Sequence, residues 1–188
     1  MTSSAKPGAA DQAATPSSPK LTAEQMLTRL LALIRTSKSV AEFTPQRLSE
    51  VMGVKMDYAS DGSGRYGFGE QVAPDWMHGF EVNMRKANPG MEFSFDPKVP
   101  GTSPDMTSIC QMDFDRFTGE LEGMGFVRNS YYDSPPQAPF GGEKLSHGRL
   151  MYDSFERPGM WVQVYPRGEA SEPQEKILHA CVQMVLVG

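Results

Sequence analysis

Three histidines, two cysteines and one glycine-rich run are the residues of this 188-residue chain whose types could support a reaction. Gly62-Ser63-Gly64-Arg65-Tyr66-Gly67 matches G-x-G-x-x-G, which holds a dinucleotide only where it follows a strand and opens a helix whose N-terminus faces the pyrophosphate. Here Phe68-Gly69-Glu70 and then Pro74 follow, with no helical run, so the spacing predicts a glycine-rich hairpin loop. His78, His147 and His179 are scattered more than 30 residues apart, and no metal site is expected from them. Cys110 and Cys181 each fall in an apolar run, away from the exposed, electropositive turn that lowers a thiol pKa. The chain has neither a Walker A sequence nor the G-x-S-x-G elbow of a serine hydrolase. Carboxylate pairs are not fixed by spacing, so a small enzyme or ligand-binding domain with a carboxylate-lined cleft stays open as a third reading. The expectation is a protein without catalysis or cofactor.

Those residues need a scaffold, and its size is bounded. A chain of this length buries one hydrophobic core without disulfide or metal staples, and 39% hydrophobic with 22% charged residues suits one globular domain. The formal charge of -5, from 18 basic against 23 acidic residues, argues against nonspecific nucleic-acid binding, which depends on neutralising phosphates. No run reaches the roughly 18 consecutive apolar residues of a membrane-spanning helix.

Helix signals open the foldable part. Thr22 and Gln25 have capping-box spacing, Leu21 and Met26 staple spacing, and Met26, Leu27, Leu30, Leu31 and Ile34 recur at helical spacing up to about Ser37. A second helix starts at Thr44 and Pro45, carries Leu48, Val51 and Met52 on one face, and stops at Gly53. Alternating runs bounded by turn residues then predict strands over 65–72, 77–84, 91–95 and 108–112. A third helix is expected over 113–123, then strands over 126–132, 147–155 and 160–165, the last two joined by Pro158-Gly159. The apolar run from Ile177 to Val187 reads as a central strand covered on both faces. The expected fold is α+β, with N-terminal helices packed on a largely antiparallel sheet in one domain, residues 21–188.

Surface aromatics supply the candidate binding residues. Tyr131, Tyr132, Asp133 and Phe140 fall in and around the Pro/Gly-rich stretch from Asn129 to Gly142, and Trp76 with His78 forms a second cluster just after Pro74-Asp75. Aromatics on a constrained loop contribute contact area at low entropy cost. An acidic domain suits a basic partner.

Residues 1–20 are Ala, Ser, Pro, Thr and Gly with few others, and after Met1 the first large apolar side chain is Leu21. Such a segment cannot offset its ordering entropy, and it reads as a flexible, disordered tether. It resembles the spacer that follows the lipidated cysteine of a mature bacterial lipoprotein, with Met1 standing where the signal peptide and cysteine would be. Together with the helix from Leu21 to Ser37, the stretch from Phe117 through Glu122-Gly123-Met124-Gly125-Phe126, and late strands closing on Cys181-Val182, it makes the chain similar to small periplasmic immunity proteins of bacterial contact-dependent killing systems. Those are the antidotes of toxins delivered by type VI or killing-type IV secretion.

The resemblance implies a periplasmic, lipid-anchored protein that binds a cognate toxin, encoded by an adjacent gene, and blocks it by inserting a loop such as Tyr131 to Phe140. The alternative is a periplasmic structural or assembly lipoprotein that self-associates, as a homodimer or larger, through an exposed strand edge. The two cysteines form either a disulfide across neighbouring strands, closing a loop of about 70 residues, or two reduced buried thiols acting as small hydrophobes. The lipoprotein-like tail favours the disulfide, because it implies an oxidising compartment.

Overall fold

The computed structural model describes residues 20–134 and 148–188. The tether expected over residues 1–20 lies, except for Lys20, outside the described residues, as do Phe140 and His147.

Local chemistry builds the helices. In α1 (Ala23–Thr36) the capping box is complete: Gln25 N–H donates to Thr22 Oγ1 at 3.2 Å, and Thr22 N–H donates to Gln25 Oε1 at 2.9 Å. Seven of its side chains, Met26, Leu30 and Ile34 among them, are buried. Thr44 caps α2 (Pro45–Met52), which ends at Gly53 in the left-handed conformation, φ 67°. Arg29 donates to Met52 O at 2.6 Å and ties the end of α2 to α1. Asp113 caps α3 (Phe114–Gly123), whose Phe114, Phe117, Thr118 and Leu121 are buried.

Among the described residues eight strands form one antiparallel sheet: β1 (Asp57–Tyr58), β2 (Tyr66–Ala73), β3 (Trp76–Asn83), β4 (Gly90–Pro97), β5 (Val127–Tyr132), β6 (Leu150–Arg157), β7 (Met160–Gly168) and β8 (Ala180–Val187). Their order is β1-β2-β3-β4-β8-β7-β6-β5. Two four-strand meanders therefore meet where Met91 to Ser94 of β4 pair with Val187 to Met184 of β8. The α+β class holds, but the helices are not all N-terminal: α3 carries the chain from β4 to the far edge at β5, and α4 (Gln174–Leu178) precedes β8.

Alternation along the strands shows that one face is covered. In β4 Met91, Phe93 and Phe95 are buried while Glu92 and Asp96 are exposed; in β7 Met160, Val162 and Val164 are buried while Trp161 is exposed. The buried set joins α1, α2 and α3 in one core, while residues of the other parity, such as Glu81, Glu92 and Trp161, stay exposed on the opposite face.

Two expected strands are corrected. Residues 108–112 form a turn, because Met106, Ile109 and Met112 are buried at a spacing of three and Ile109 N–H closes onto Met106 O at 2.8 Å. The run from Ile177 does not begin as strand: Ile177 and Leu178 end α4, where Lys176 N–H and Ile177 N–H donate to Pro173 O, and the strand starts at Ala180.

Candidate binding face

The uncovered side of the sheet collects the residues of opposite parity to the core. Antiparallel register puts Gly67, Glu81, Glu92, Leu186, Gln163, Ser154 and Asn129 in one row across seven strands. The adjacent row runs through Gly69, Gly79, Ser94, Met184 and Tyr165.

Tyr131 belongs to this face. It stands opposite Tyr152, their rings stacked at 4.7 Å between centroids, and Tyr152 in turn lies 5.1 Å from Tyr165. Tyrosines from β5, β6 and β7 thus form a ladder across the sheet, with its outer member Tyr131 46% exposed. Each pair adds roughly 0.5–1.5 kcal/mol beyond area burial, so the rings are held in place before anything binds them. Burial first, and then Tyr152 and Glu92, push the Tyr165 phenol above its usual pKa. Next to Tyr165 an open groove of about 730 Å³ is lined in part by Leu150, Met151, Ile177, Leu178 and Gln183, with Leu178 73% exposed.

Asp133 follows the ladder and is tied down: it accepts from Arg149 N–H at 2.8 Å and donates its own N–H to Arg149 O at 3.0 Å. Tyr132 is exposed at the end of β5. The aromatic loop expected from Tyr131 to Phe140 is therefore strand in its first part, and its Phe140 lies outside the described residues.

Trp76 and His78 are corrected from surface residues to core residues, at 1% and 2% exposure. Trp76 donates its indole N–H to Asp105 O at 3.0 Å and lies under the Arg167 guanidinium. His78 stacks on Phe95, meets Phe68 and Phe93 edge-on, and pairs through Nε2 with Glu70 at 3.1 Å. Desolvation lowers its pKa against the opposing pull of Glu70. Position in β3 also separates this pair from Tyr131, since β3 and β5 are five places apart in the sheet, about 24 Å at the usual strand spacing.

Cys110 and Cys181 are bonded, with Cα atoms 5.3 Å apart. The bond does not join two strands as expected; Cys110 sits in the turn before α3 and Cys181 in β8. His179 Nδ1 meets Glu169 at 2.8 Å and Nε2 meets Asp113 at 3.2 Å, while Lys176 and Thr107 also bind Glu169. Hydrogen bonds from Thr107, His179 and Lys176 hold the Glu169 carboxyl down to about 2, and the two carboxylates raise His179. A ring nitrogen of His179 lies within 4.8 Å of both sulfurs, but sulfurs bonded to each other offer no thiolate to a metal. The cluster instead clamps α4 and the 105–112 turn onto the start of α3.

Tyr152 and Tyr165 are residues of this candidate face that sequence reasoning did not single out. Both lie within expected strands, and alternation could have placed them on the polar side; the adjacency of β5, β6 and β7 is what makes them one surface with Tyr131. No family model matches this sequence, and no curated protein or solved structure matches it.

Proposed function

We propose that this chain is an immunity protein that binds a cognate secreted antibacterial toxin in the periplasm of the producing cell and occludes it, anchored there by a lipid on the precursor. The observation that carries the reading is the uncovered sheet face with its preorganised ladder of Tyr131, Tyr152 and Tyr165 beside an apolar groove. Rigid aromatics next to a recess, rimmed by polar residues, are the anatomy of an interface hot spot. The Cys110–Cys181 bond fits an oxidising compartment, which supports placement outside the cytoplasm. Occlusion needs no turnover, in keeping with a sequence that spells out no reaction.

The test pairs the full chain with the product of the adjacent gene. Coelution on a sizing column, a calorimetric Kd in the nanomolar range and silencing of the neighbour's toxicity are expected. Absence of a complex and of protection overturns the proposal.

One observation favours a second reading, a periplasmic structural or assembly lipoprotein that self-associates. β5 is a six-residue edge strand, exposed at five positions, and no strand pairs with its outer side among the described residues. That reading predicts oligomers of the chain alone, read by light scattering.

A further inference from the structure

Glu81 of β3 and Glu92 of β4 are directly opposite each other on the uncovered face, and both are exposed. Like charges at such positions destabilise a sheet. Arg65 answers Glu81 at 3.1 Å, whereas the Glu92 carboxylate has no hydrogen bond or ion pair among the described residues. In the neighbouring row Gly69 and Gly79 supply a stretch of floor without side chains, followed by Ser94. A Cβ on Gly79 would lie 2.5 Å from Phe68 O, so the close approach of β2 keeps the position bare. Between these elements lies a recess of about 250 Å³ lined by Gly79, Phe80, Glu81, Glu92 and Ser94. Beyond the recess the same row passes through Met184 to Tyr165, whose phenol feels the charge of Glu92.

We infer that this recess is the slot for an arginine side chain of a basic partner protein, its alkyl stem over the Gly79 backbone and its guanidinium between Glu81 and Glu92, with the adjoining partner surface against the tyrosine ladder. The identity of that partner as a toxin rests on the function proposed above; the slot itself rests on the sheet. Charge complementarity selects the occupant. A second copy would bring another acidic chain, of formal charge -5, against the same carboxylates, and like-charge juxtaposition opposes it. Arginine suits two flanking carboxylates because its planar guanidinium carries five donors in a fixed fork.

The experiment titrates N-acetyl-arginine amide into the ¹⁵N-labelled full chain, with N-acetyl-citrulline amide as the uncharged isostere. Saturable shifts of the Gly69, Gly79, Glu92 and Ser94 amides are expected with arginine and not with citrulline. Glu92→Gln should weaken the arginine affinity by about tenfold, the order of one charge-assisted contact, while Glu50→Gln on α2 leaves it unchanged. Shifts that do not saturate, occur equally with citrulline or map elsewhere overturn the slot. The partner gives a separate reading. If the adjacent-gene product binds and Glu92→Arg binds it as tightly as wild type, the slot is wrong and the antidote function stands. Saturable arginine binding without any toxin complex supports the slot and removes the antidote function.

Discussion

Reducing the Cys110–Cys181 bond removes a covalent tie between positions 71 apart in the chain. In the chain-entropy model such a loop contributes about 4 kcal/mol at 25 °C by restricting the unfolded ensemble. Little else should oppose this figure, because Cys181 is buried beside apolar neighbours and a free thiol there behaves as a small hydrophobe. The assay is urea unfolding of the full chain with and without a phosphine reductant, beside the Cys110→Ala/Cys181→Ala variant. With a slope of about 2 kcal/mol/M, the midpoint should fall by roughly 2 M at constant slope, and the double variant should match the reduced protein. Two titratable thiols in the native, unreduced protein, or a midpoint shift below about 0.5 M, would refute the reasoning. The same result bears on compartment, since a chain that loses this much stability in a reducing cytoplasm works best where the bond persists.

Arg128 faces Asp153, whose carboxylate is wholly buried and has no well-directed hydrogen bond, so the pair is held by charge at 2.5 Å. Arg128→Met should cost about 3–5 kcal/mol by stranding that charge, and adding Asp153→Leu should recover much of it; urea midpoints read both, and a single variant within about 1 kcal/mol of wild type sinks the idea. His179 has a raised pKa in the folded state, so its contribution is fully present below pH 6.5 and fades as pH rises through the folded value. The Tm gap between wild type and His179→Gln should therefore be larger at pH 5.5 than at pH 9, and a gap independent of pH contradicts the clamp. Tyr131→Ala removes the exposed end of the ladder. It should weaken partner binding by about tenfold or more with a stability loss of about 1–2 kcal/mol that leaves the chain folded, whereas wild-type affinity places the interface elsewhere.

The sequence by itself determined the elements whose causes are local. Thr22 with Gln25 and Thr44 with Pro45 mark helix starts, and Gly53 a helix end, by hydrogen bonds within one turn; α1 and α2 begin, and α2 ends, where those residues stand. Alternation similarly located β2, β3, β4 and β7, because a period of two needs only the strand itself. It also kept Gly62 to Gly67 in a hairpin, where Gly62 and Gly64 adopt positive φ at the β1–β2 turn.

Tertiary structure decided everything that depends on partners distant in the chain. The short turn at 106–112 and the α4 turn before Ala180 resemble strands in apolar content, and only their packing distinguishes them. Trp76 and His78 read as surface because polar and amphipathic side chains near a turn usually are; their burial follows from Phe93 and Phe95 of β4 and from Arg167 of β7 closing over them. The uncovered sheet face is the clearest case. A period-two pattern tells which residues of one strand share a side, but not which strand lies next to it. Tyr131, Tyr152 and Tyr165 become a ladder, and Glu81 and Glu92 a facing pair, only through hydrogen-bonded register between strands, and that register is set by burying the opposite side of the sheet against the helices.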